Sequence, residues 1–140
     1  MPSTGIDIAR PPAEVFAYIS DPQKLSTWQD AEEVTQLTPG PVGPGTRFRE
    51  VHKVLGRRRV EITEVVAAEP GRRFEIRVVE GPPIDGRWDF EPTASGTRVT
   101  LTPTARLGGR LRAAAPLVEG ATALAFRRYH RRLKRALEKS

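Results

Sequence analysis

The chain has 140 residues, a net charge of +6 and no cysteine; this length suits a single domain over residues 1–140 with one core. Without thiols, and with only His52 and His130 as imidazole ligands, a disulfide framework and a structural zinc site are excluded, and no metal is expected. No apolar run is long enough to span a bilayer and the first residues lack the charged start and apolar centre of an export signal, so a cytoplasmic protein without membrane insertion is expected.

Ile6, Asp7, Ile8 and Ala9 alternate like a short strand, which Pro11 and Pro12 stop because proline cannot donate a ladder hydrogen bond. Pro12 suits the first turn of a helix, Glu14 favours its positive end, and Val15, Phe16 and Ile19 share one side at helical spacing. Asp21-Pro22 interrupts that helix, since the residue before a proline is pushed out of helical geometry. Asp21 can in turn cap a second short helix running through Leu25 to Trp28. From residue 31 the apolar period changes to two, with turn signals at Pro39 to Gly45, Gly56, Pro70-Gly71, Gly81-Pro82-Pro83 and Ser95-Gly96. These breaks delimit six strands of an antiparallel sheet, wet on one face and covered on the other. From Val118 to Leu137, the residues Ala121, Thr122, Ala125, Phe126, Tyr129, Leu133, Ala136 and Leu137 fall on one stripe of a long helix, with His130 assigned to the charged side. Pro116 either opens this helix or kinks it.

The segments RPPAEVFAYISDPQKLSTWQ, GPVGPGTRFRE, VEITEVVAAEPGRRFEIR and SGTRVTLTPTARL, followed by the closing helix, resemble the START-like, or SRPBCC, superfamily over nearly the whole chain. The small bacterial polyketide cyclase/dehydrase-like members are the most similar. The resemblance implies an α+β helix-grip fold, in which an antiparallel sheet wraps a long C-terminal helix and leaves a pocket between them. It also implies that the two short helices plug one end of the wrapped sheet, with Phe16, Ile19 and Trp28 filling it. Trp28 then reads as a packing anchor, and as a ligand platform only in the alternative.

Strand parity predicts which side chains reach the pocket. On residues 46–54 the even positions carry Phe48, Glu50, His52 and Val54, so two ionisable groups face an apolar space. Val60, Ile62, Phe74, Ile76, Trp88 and Leu101 are expected on the same side, with Ala125 and Tyr129 from the helix, and Glu80 at the inner end of its strand. Glu50 and His52, about 7 Å apart along one strand face, can serve as acid and base for proton abstraction next to a ketone and loss of water. The competing reading makes Glu50 the partner of a nearby arginine and His52 a half-buried spacer.

No serine nucleophile elbow, phosphate-binding Gly-Lys-Ser/Thr loop or dinucleotide glycine pattern is present, and no cofactor is expected. The run from Gly40 to Gly45 reads either as a plain turn or, by resemblance, as a loop near the pocket mouth. The basic helix FRRYHRRLKRALEK reads first as a solvated face, because its apolar stripe is needed by the sheet; attraction to lipid or RNA is the alternative. Aromatics make up only 6% of the chain and most sit in apolar patterns, so no specific nucleic-acid partner is expected. The function expected is binding of a small hydrophobic molecule such as a lipid, an isoprenoid or an aromatic polyketide-like compound. The alternatives are a polyketide cyclase or dehydratase and a protein- or RNA-interaction module; monomer and dimer are both compatible with the sequence.

Overall fold

A computed structural model describes residues 2–139, with the side chain of Val54 outside the described part. Strand β1 (Thr4–Ile8) leads through Pro11 into α1 (Pro12–Ile19), a 3-10 turn (Pro22–Lys24) and the single-turn helix α2 (Leu25–Trp28). The carboxylate of Asp21 accepts from the Gln23 N–H at 2.9 Å, so the expected cap forms and fixes the corner between the two short helices. Six strands follow: β2 (Ala31–Gln36), β3 (Arg47–Val54), β4 (Arg57–Glu69), β5 (Arg73–Glu80), β6 (Ile84–Pro92) and β7 (Thr97–Ala105). A second 3-10 turn (Gly109–Ala114) then enters α3 (Ala115–Glu138), with Pro116 in its first turn, so the proline opens the helix and does not kink it.

The strands form one antiparallel sheet in the order β1-β7-β6-β5-β4-β3-β2. Consecutive strands from β2 to β7 are neighbours in the sheet, and β1 closes the far edge against β7. The β3–β4 turn is a two-residue hairpin in which Leu55 (φ 51°) and Gly56 (φ 78°) are both left-handed, the geometry that matches the twist of the flanking strands. Two register slips in the β4–β5 pairing, one at Val79 of β5 and one at Val66 of β4, bend the sheet, since each bulge adds local twist. The curvature lets the sheet wrap α3.

The C-terminal half of α3 packs directly on the sheet: Leu133 and Leu137 are buried in one cluster with Ile8, Val99 and Leu101. At the other end of the core α1 lays Phe16 edge-on against Phe74 and Phe90, with ring centroids at 6.0 and 5.6 Å. Trp28 of α2 reaches inward to Trp88, Phe126 and His130. Leu133 is buried as expected, but Tyr129 is half-buried and Ala125 is exposed, because the N-terminal half of α3 stands off the sheet and leaves a cavity beneath it. This is the helix-grip architecture, and no helix among the described residues is long and apolar enough to cross a membrane.

Candidate functional site

The space between the sheet and the N-terminal half of α3 is a cavity of about 470 Å³. Of the side chains expected there, Phe48, Phe74, Ile76, Trp88 and Leu101 line it from the sheet, and Ala125 and Tyr129 from the helix. Glu50 and His52 also reach it, each buried on the inner face of β3, while Lys53 is exposed. The parity of β3 is therefore as read.

On β4 the parity is inverted. Phe48 pairs with Thr63, Glu50 with Glu61 and His52 with Arg59, and directly opposed residues of an antiparallel pair share a face. Thr63, Glu61 and Arg59 consequently line the cavity, while Val60 and Ile62 point to the convex side. Val60 is 45% exposed there, opposite the buried Val51. A small apolar patch on the outer face mimics an inner-face pattern. Glu80 is likewise not inside: β5 pairs Val78 with Thr63 but Glu80 with Ile62, so the slip at Val79 turns Glu80 outward, where it is exposed.

Four polar residues of β3 and β4 meet on one stretch of the cavity wall. His52 Nε2 lies 2.9 Å from Glu50 Oε1 and 3.7 Å from Glu61 Oε2, and Arg59 Nη2 lies 2.8 Å from Glu61 Oε1. Burial opposes charge on His52, but its hydrogen bond to Glu50 and the charges of Glu50 and Glu61 outweigh both that and the repulsion of Arg59, so its pKa is raised. The imidazolium is thus favoured in a wall that is otherwise largely apolar. Donor atoms of Glu50, His52 and Glu61 lie within 4.8 Å of one another, a spacing at which carboxylates and an imidazole can also meet a cation. Here their charges are compensated internally, by His52 between the two carboxylates and by Arg59 on the far side of Glu61. The competing sequence reading pairs Glu50 with an arginine; in the structure it is Glu61, absent from the expected set, that holds one.

A second histidine enters the same neighbourhood. His130, assigned to the charged side of α3, is 1% exposed and stacks on Trp28 at 6.4 Å between ring centroids. It lies four residues after Phe126 and three before Leu133, so helical arithmetic alone puts it on the buried stripe; its polarity conceals this. Trp88 Nε1 donates to His130 Nε2 at 3.3 Å. An indole N–H can only donate, so the proton of the neutral ring resides on Nδ1, which has no hydrogen-bond partner among the described residues. Burial pushes the pKa of His130 down to about 4.

Tyr129 fixes the helix beside the cavity. Its hydroxyl donates to Asp30 Oδ2 at 3.1 Å, and Arg128 and Arg132 reach the same carboxylate at 2.6 and 2.9 Å. Burial opposes the charge on Asp30, but hydrogen bonds from Arg132 and Tyr129 and the two guanidinium charges prevail and lower its pKa. This clamp ties α3 to the residue pair that follows the second short helix, holding the cavity wall in place.

The fold recurs in solved structures. The chain is similar to TTHA0849 from Thermus thermophilus (25% identity, TM-score 0.71, covering 99% of this chain and 98% of that one). It is also similar to MLL2253 from Mesorhizobium loti (17% identity, TM-score 0.73, 99% and 96% covered). A third similar structure is DynU16, a protein of the dynemicin biosynthetic locus, at 22% identity and TM-score 0.69, covering 98% of this chain but 46% of that one. No curated protein shows significant sequence similarity to the chain. The pattern described as "Polyketide cyclase / dehydrase and lipid transport" matches from residue 3 to residue 138, taking in every strand, α1 and the whole of α3, and it is to this family that the chain belongs.

Proposed function

We propose that the protein binds a small, mainly apolar organic molecule that carries a polar group at one end. The observation that carries this reading is the cavity itself: about 470 Å³, walled by Phe48, Phe74, Ile76, Trp88 and Phe126, with the polar cluster of Glu50, His52 and Glu61 on one stretch of its wall. That volume falls within the range of small-molecule sites, which combine an apolar wall with a few placed polar groups. The family description, with its cyclase and lipid-transport members, supports the same reading. Ala125 lines the cavity and is exposed, so Ala125→Trp fills the space without overpacking the core. Titration with 1-anilinonaphthalene-8-sulfonate is expected to show saturable binding to the wild type and at least about tenfold weaker binding to Ala125→Trp, with similar thermal stability. Equal affinity in the two proteins would sink the cavity as the binding site.

A second reading is favoured by the 2.9 Å contact between His52 and Glu50. In it the Glu50 carboxylate takes the proton from a carbon next to a ketone, and the His52 imidazolium gives its proton to the carbonyl oxygen, so the pair interconverts ketone and enol. In an aldol product Glu50 again takes the α-proton, but the His52 proton goes to the β-hydroxyl and not to the carbonyl oxygen: the C–H electron pair becomes the C=C bond as the C–O bond breaks, and water leaves. The expected signature is faster exchange of the α-protons of α-tetralone in D2O, followed by NMR. Glu50→Gln and His52→Ala are each expected to lose about a hundredfold of that rate with probe binding nearly intact, because acid–base groups act chiefly on the transition state. If the wild type exchanges no faster than buffer, or both variants match it, the reaction is withdrawn and binding alone remains.

A further inference from the structure

We infer that the outer face of the second 3-10 turn and α3 is a docking surface for an anionic lipid bilayer, on which the helix lies flat without spanning it. The inference rests on surface chemistry and does not depend on what the cavity holds. Leu111, Leu117 and Leu124 are 64%, 78% and 64% exposed, although the rest of α3 buries its large aliphatics. Leu117, Leu124 and Arg131 follow one another at seven-residue spacing, and Arg135 lies one turn further on, so all four occupy one stripe of the helix. That stripe is apolar at its N-terminal end and cationic at its C-terminal end.

The arginines on this face are uncompensated. Arg106 pairs with Asp85, Arg128 and Arg132 with Asp30, and Lys134 with Glu138. Among the described residues, Arg110, Arg112, Arg127, Arg131 and Arg135 are exposed and have no ion pair. Between Arg106 and Leu137 the sole acid is Glu119, which is buried and accepts from the Ala105 N–H at 2.9 Å. No carboxylate is therefore available on this face to neutralise them.

Three kinds of partner could meet exposed leucines and arginines, and the chemistry separates them. A second copy would bring two sets of unpaired arginines together with no acid between them, which repels. A nucleic acid would satisfy the charges but not the leucines, and the face presents no aromatic ring for base stacking. A bilayer with anionic headgroups answers both: phosphates take the guanidinium groups and the leucines enter the acyl boundary, as in helices that lie in the interface plane. The cavity-lining Ala121 and Ala125 are each adjacent to or one turn from these leucines, so the docked face borders the cavity.

The test is sedimentation with vesicles of phosphatidylcholine alone and with about one third phosphatidylglycerol, at roughly 0.1 M and 0.5 M salt. Binding is expected to be at least about tenfold tighter to the anionic vesicles and to weaken with salt. Arg127→Glu, Arg131→Glu and Arg135→Glu together are expected to reduce it by at least about a hundredfold, near fivefold for each cationic side chain lost, while the corresponding triple lysine variant retains it. Leu117→Ser with Leu124→Ser is expected to weaken the binding that survives high salt by about tenfold. Circular dichroism of each variant, expected to match the wild type, keeps loss of folding from passing as loss of docking. Several results overturn the inference: no binding to anionic vesicles at the lower salt, equal binding to both lipid compositions, or unchanged binding in either variant. So does single-stranded RNA that binds more tightly than vesicles and competes them away, or a dimer in solution that the leucine variant converts to monomer.

Discussion

Replacing Trp28 by alanine is expected to cost about 4 kcal/mol of stability, within the range for removing a large buried aromatic ring. Trp28 is fully buried and packs on Trp88, Phe126 and His130 with ring centroids 6.2 to 6.4 Å away. Its indole N–H has no hydrogen-bond partner among the described residues, so the change orphans no acceptor and the loss is one of packing. Urea unfolding checks this: the midpoint should fall at nearly unchanged slope, with a drop in Tm of roughly 10 °C or more. Trp28 also lines the cavity. A variant that keeps wild-type stability and loses only probe binding would make Trp28 a ligand platform and remove it from the structural core.

Acidification from pH 7 to pH 4 is expected to remove about 3 kcal/mol of stability through His130 alone. Its pKa is 6.5 when unfolded and about 4 in the fold, and each unit of difference is worth about 1.4 kcal/mol. The sign follows from the depressed value: between the two pKa values the unfolded chain binds the proton and the folded chain does not. The contribution is complete above about pH 6.5, declines as pH falls, and is gone below about pH 4. His52 acts in the opposite sense. Its folded pKa is raised, so its contribution is complete below 6.5 and is lost only as pH rises through the folded value. Asp30, with its lowered pKa, loses its contribution only as pH falls below the usual carboxylate value of 3.8. Glu138, held low by its hydrogen bonds from Lys134 and the Ala9 N–H, loses its contribution only below the usual 4.5, so the window between 4.5 and 6.5 reports on His130. Urea unfolding at a series of pH values should show the slope there in the wild type and its absence in His130→Phe; an unchanged slope in the variant would refute the assignment.

Much of the architecture is legible in local sequence because each signal acts over a few residues. Pro12 and Asp21 set the short helices, the Gly and Pro clusters end the strands, and the stripe ending in Leu133 and Leu137 commits α3 to a partner surface. These are consequences of backbone sterics and of a helical or two-residue period, which need no knowledge of distant contacts. The inward set on β3 is legible for the same reason: Phe48, Glu50 and His52 alternate with Arg49 and Lys53, whose charges mark the wet face.

The candidate site is less legible. Val60 and Ile62 look like an inner face, yet the pairing of β3 with β4 sets Glu61 and Arg59 beside Glu50 and His52; no local period reveals that register. The slip at Val79 reverses Glu80, because one extra residue in a strand exchanges its faces. His130 sits at a readable helical position, but its burial depends on Trp28 and Trp88 arriving from elsewhere in the chain. The sequence by itself determined the order and type of the elements, since proline, glycine and apolar spacing act within a turn or a strand. Only the tertiary structure decided which polar groups share the cavity, because that depends on strand register, bulges and the point at which α3 leaves the sheet, all of which are set by residues far apart in the chain.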